Sequence, residues 1–212
     1  MRISKCGFAL GFANLLSGVT EARFQVEYIA AVKRTILPFE GEFICQSLTS
    51  RAAVNLGHVG HFAFIMGFPS AAQALSWFKS DAYQTLASRR NRLWELTIFV
   101  CEGSGERAQG VGTKGYAFGT AELKVPQAQI DSDYGTKVAP ILAEHGGCFA
   151  AKCRAQDAIA SEGHVKDFGF VLEFPPGQIA SRWYHSQAYQ GLSTKRAELM
   201  EINIVVIDDP QI

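Results

Sequence analysis

The sequence predicts an α+β fold: two ferredoxin-like domains, each ordered β-α-β-β-α-β, packed as a pseudo-twofold α+β barrel. Three observations carry that expectation. The chain repeats itself, each copy runs through strand and helix periodicities in the same order, and the third strand of each copy is apolar on both faces.

Sliding the 212-residue chain by 106 positions aligns Phe24–Val100 with Ile130–Val206 without a gap. Over residues 57–100, about 18 of 44 positions match their partners, which marks an internal duplication. The matches include Gly57/Gly163, His58/His164, Phe64/Phe170, Trp77/Trp183, Tyr83/Tyr189 and Arg90/Arg196, with Tyr28/Tyr134 upstream. "GFALGFA" at Gly7 pairs with "GYAFGTA" at Gly115 once two extra residues are allowed in the first copy. The repeats take residues 1–103 and 114–212, and the glycine-rich, polar stretch 104–113 has the composition of a flexible connector.

In the second copy "GYAFGTAEL" reads as the first strand. Ile130, Tyr134, Val138 and Ile141 then recur at helical spacing, and Gly146–Gly147 stop the helix. "CFAAKC" is the second strand. "DFGFVLEF" is the third, with Phe168, Phe170, Leu172 and Phe174 on one face and Gly169, Val171 and Glu173 on the other. Pro175 ends it and leads into a second helix around Trp183 and Tyr184, and "INIVVID" closes the unit as a fourth strand. Two helices cover one face of such a sheet. A third strand apolar on both sides needs cover on the other face too, and the tandem copy supplies it.

Composition narrows the function classes. Twenty Lys and Arg balance twenty Asp and Glu, so no basic footprint points to nucleic acid. Five cysteines, an odd number without CxxC spacing, read as reduced thiols in a cytoplasmic protein. No run of eighteen apolar residues suggests a membrane span, and "MRISKCGFALGFANLL" reads as a strand rather than a signal peptide. Histidines and cysteines form no metal-ligand spacing, so neither a metal nor another cofactor is expected.

The segments "GYAFGTAEL", "YGTKVAPILAEHGGCF", "DFGFVLEFP" and "WYHSQAYQ" resemble domain-of-unknown-function family 1330, of the dimeric α+β barrel superfamily. The first copy departs from the pattern, with "FEGEF" for "HGGCF", Gly67 for Glu173 and "WFKSDAY" for "WYHSQAY". The resemblance implies two ferredoxin-like units building one barrel, usually from two chains and here from one, with room for further homo-oligomerisation. Superfamily relatives include cofactor-free monooxygenases, cyclases and isomerases as well as haem-dependent enzymes. They tend to use an apolar pocket between sheet and helices, and fold alone does not choose among them.

Candidate residues follow from the two copies. His58 and His164 precede the third strand, where an imidazole can act as a base or simply fix the turn. Glu173 interrupts an apolar strand, so its carboxyl needs a partner, and Glu122 on the first strand is a candidate neighbour. Tyr28 and Tyr134 lie on the inward stripe of helix one, Trp77 and Trp183 on that of helix two; with Phe170 they can wall an aromatic pocket or fill a core. Arg196 can bind a ligand carboxylate or cap its helix. The expected function is binding of a small apolar or aromatic molecule, with His164, Glu173 and Tyr134 as acid–base candidates. The reactions that suit it are cofactor-independent isomerisation, cyclisation or monooxygenation. A non-catalytic binding or assembly role and a haem-dependent enzyme are the alternatives.

Overall fold

The computed structural model describes residues 6–91, 93–164 and 166–210. The first half runs β1 (Gly7–Leu15), α1 (Glu21–Phe24), a π-helical turn (Gln25–Ile29), α2 (Ala30–Ile36), β2 (Glu42–Leu48), β3 (Val54–Leu56), β4 (Phe62–Phe68), α3 (Ala71–Lys79), α4 (Asp81–Arg90) and β5 (Trp94–Glu102). The second half repeats it as β6 (Gly115–Leu123), α5 (Gln127–Ile130), a π-helical turn (Asp131–Gly135), α6 (Thr136–Glu144), β7 (Cys148–Arg154), β8 (Ala160–Glu162), β9 (Phe168–Phe174), α7 (Ile179–His185), α8 (Gln187–Leu199) and β10 (Met200–Ile207).

Two antiparallel five-stranded sheets result, in the orders β2-β4-β1-β5-β8 and β3-β10-β6-β9-β7. Their inner faces meet in a core of small and aromatic residues, where the Phe12 and Phe118 rings stack 5.8 Å apart. The even-numbered side of β9 (Phe170, Leu172, Phe174) turns instead toward its own helices, as the period-two pattern predicts.

The short strands β3 and β8 were not expected from periodicity, and they tie the halves together. β3 pairs with β10 of the other half (Leu56 opposite Ile204), and β8 pairs with β5 (Glu162 opposite Ile98). Each arm leaves its foreign sheet through the glycine of the repeated "GH" motif. Gly57 and Gly163 have φ of 81° and 82°, and a β-carbon would lie 2.4 Å from Asn203 Oδ1 or 2.0 Å from the Leu96 carbonyl oxygen. Only glycine combines that dihedral with that approach.

The helix after the third strand is also broken in two. Ser80 and Ser186 adopt extended backbone, and their hydroxyls accept the N–H of Tyr83 and Tyr189, which starts α4 and α8 as fresh, capped helices. The break sets both tyrosines in the buried layer between helices and sheet.

Candidate functional site

The two helix–sheet layers are filled differently. In the first half, Phe24, Tyr28 and Trp94 interlock edge to face, with Phe24 and Tyr28 each 4.6 Å from the Trp94 ring, and Ile29 is buried among them. The residues 106 positions on are Ile130 for Phe24, Met200 for Trp94 and Gly135 for Ile29. Smaller side chains leave space, and a cavity of about 70 Å³ opens there in the second half. Ile130, Gly135 and Met200 line it together with Tyr134, Phe170 and Trp183. Its mouth carries Gln127, Asp131 and Lys152: the Gln127 amide donates to Asp131 Oδ1 at 2.8 Å, and Lys152 Nζ lies 3.7 Å from the same oxygen.

Tyr134 sits in a π-helical turn, as Tyr28 does in the first half. Such turns widen the helix by one residue and recur at functional positions. Tyr134 Oη donates to Tyr189 Oη at 3.4 Å, and Arg196 Nη1 donates to the same oxygen at 2.7 Å. Burial raises both hydroxyls above the usual phenol value, Tyr134 well above it. At neutral pH both therefore keep their protons, and Tyr134 donates its own to Tyr189.

The matching cluster in the first half is closed. Arg90, 1% exposed, donates through Nη1 to Tyr83 Oη at 2.9 Å and through Nε to Asn91 Oδ1 at 3.1 Å. Its Nη2 pairs with Glu162, delivered by β8 from the other half. The indole N–H of Trp77 donates to Thr35 Oγ1 at 3.0 Å.

A family model described as "Domain of unknown function (DUF1330)" matches residues 13–104 and again 114–210. The chain belongs to the DUF1330 family, twice over. No relative with a curated description matches it. Among solved structures, an anthrone oxidase-like protein is similar at 13% identity and a TM-score of 0.54, covering 98% of this chain and 93% of that one. A monooxygenase described as putative, from Fusobacterium nucleatum subsp. nucleatum ATCC 25586, is similar at 7% identity and a TM-score of 0.53, covering 98% and 97%. A mutant chlorite dismutase from Candidatus Nitrospira defluvii is similar at 8% identity and a TM-score of 0.53, covering 97% and 93%. At these identities the likeness is one of fold, the dimeric α+β barrel.

Of the residues singled out in the sequence, this DUF1330 tandem brings Tyr134, Phe170 and Trp183 to the cavity and Arg196 beside them through Tyr189. Tyr28 and Trp77 occupy the equivalent but filled layer. His58 and His164 have exposed side chains on the crossing turns, and the backbone N–H of His58 donates to Asn203 Oδ1 at 2.8 Å. Glu122 pairs with Lys166 at the surface and stands opposite Glu201 on β10, so it is not the neighbour of Glu173. Sequence reasoning did not pick out Tyr189, Asp131 or Lys152 as site residues. For Tyr189 the signal was present, since it is repeated as Tyr83.

Glu173 points away from the cavity, between the sheets. Its Oε1 accepts the Ala108 N–H at 3.1 Å and lies 3.7 Å from Lys114 Nζ, so the connector of this DUF1330 tandem is strapped down rather than free. Burial raises its carboxyl, against the opposing pull of Arg107 and Lys114. A raised value means the folded state holds the proton to higher pH than the unfolded chain does. Stability is therefore lost as pH rises through the folded value, and the loss is absent below the unfolded one. Glu173→Gln keeps an acceptor for Ala108 and removes the titration. Urea unfolding from about pH 4 to about pH 7 should then show a flatter decline with rising pH than the wild type. An unchanged slope would place the titration elsewhere.

Proposed function

We propose that this chain binds a small, largely apolar or aromatic molecule in the second-half cavity, and that the first half has become its structural partner. The observation that carries this reading is the exchange of Phe24, Ile29 and Trp94 for Ile130, Gly135 and Met200 at equivalent places of one duplicated layer. Evolution of a core alone favours filling such a space, because an apolar void forfeits contacts.

The chemistry that suits the site is cofactor-independent. Protonated Tyr134 and Tyr189 can polarise a carbonyl or hold a developing oxyanion, the demand shared by isomerisation, cyclisation and oxygenation of an activated carbon. Tyr134 takes the acid role in this reading, while Glu173 and His164, outside the cavity lining, serve the connector and the crossing turn. A haem does not fit this cavity, whose volume of about 70 Å³ falls far short of the roughly 300 Å³ or more that larger ligands need. Cys45, Cys101, Cys148 and Cys153 are thiols, which supports a cytoplasmic setting.

Calorimetry with benzyl alcohol as the probe tests the binding reading. One site per chain is expected. Two equivalent sites, or none, would overturn it.

A further inference from the structure

The duplication offers an internal control for what the second site lacks. Its donors are all kept: Tyr28, Trp77, Tyr83 and Arg90 return as Tyr134, Trp183, Tyr189 and Arg196. Of the groups that accept from them in the first half, Tyr83 is kept as Tyr189, and the other three are lost. Thr35, the acceptor for the Trp77 indole, is replaced by Ile141, and Asn91, the acceptor for Arg90 Nε, by Ala197. Glu162, the counter-ion of Arg90, is replaced by Leu56, which stands 39% exposed on β3.

The consequence is visible in the second half. Among the described residues, Trp183 Nε1 and Arg196 Nε are buried without a hydrogen-bond partner, and no acid pairs with Arg196, which is 6% exposed. A buried guanidinium with unmet donors is costly unless something supplies the negative charge. Leu56 lies opposite Ile204, and Ile204 lines the cavity with Tyr134, Trp183 and Tyr189, so the vacant acceptor positions and the apolar space share a wall.

We infer that the ligand of the second half carries a carboxylate or an equivalent oxyanion, bound by Arg196 and the Tyr189–Tyr134 pair where Glu162 serves Arg90, with its apolar body in the cavity. Resting on the binding reading above, this narrows the ligand class to small apolar or aromatic acids. The first half, by the same logic, is a site permanently occupied by its own chain.

The test compares benzoate with benzyl alcohol, a neutral probe of similar size, by calorimetry on the full chain. Benzoate should bind the wild type at least about tenfold more tightly, the effect of a charge-assisted hydrogen bond to a buried cation. Leu56→Glu recreates the first-half counter-ion; it should abolish the preference for benzoate while leaving benzyl alcohol binding within about threefold. Arg196→Met should also lose the preference, and where that variant fails to fold, Leu56→Glu decides alone. Equal binding of both probes to the wild type would overturn the charge assignment and leave the apolar site standing. Binding of neither would remove both. A benzoate preference that survives Leu56→Glu would show that Arg196 is not the receptor.

Discussion

Replacing Glu162 by leucine is expected to destabilise the chain by about 3 kcal/mol or more. Arg90 is a fully buried cation, and its carboxylate comes from the opposite half on β8. Removing that partner leaves the charge desolvated and also detaches the end of an exchanged strand, so both halves loosen together. The Arg90→Met, Glu162→Leu double variant should recover most of the loss, because an apolar pair of similar volume avoids the desolvation altogether. Urea unfolding of the single and double variants checks this. A single-variant loss under about 0.5 kcal/mol, the range of an exposed pair, would mean that the ion pair does not close the first-half cluster.

Met200→Trp is expected to eliminate binding of benzyl alcohol and to raise the melting temperature. The substitution installs at 200 the residue that fills the first half at 94, where the ring packs against Phe24 and Tyr28. Its second-half neighbours are the smaller Ile130 and the matching Tyr134, so the ring enters existing space rather than displacing a packed core. Burying the added ring stabilises by about 1–2 kcal/mol, provided that the cavity accepts it in an unstrained rotamer. Benzyl alcohol binding at wild-type affinity in the variant would place the probe elsewhere.

The fold was legible because it rests on patterns that survive without neighbours. Period-two strands such as Phe168–Phe174, the helical spacing of Ile130, Tyr134 and Val138, and the repeat itself each show in the sequence alone. The strand exchange was not. β3 and β8 are three residues each, too short for periodicity, and their pairing depends on the docked partner sheet. That gap hid the most informative contact at the site: the alignment pairs Glu162 with Leu56, but only the exchange carries Glu162 to Arg90. Glu173 drew notice as a carboxyl in an apolar strand, and it does have partners. They come from the connector, whose composition gave no sign that it would dock. The cavity, finally, is a difference in volume between two similar layers, which becomes readable once Trp94 and Met200 are known to face the same space.

The most direct test of a site confined to one half uses the three tryptophan indole N–H signals, from Trp77, Trp94 and Trp183. All three side chains are buried, and only Trp183 lines the cavity. During titration with benzyl alcohol, followed by nitrogen–proton correlation spectra, the Trp183 signal should shift progressively to saturation while Trp77 and Trp94 hold their positions. Equal shifts at Trp77 or Trp94, or three stationary signals at saturating probe, would contradict it.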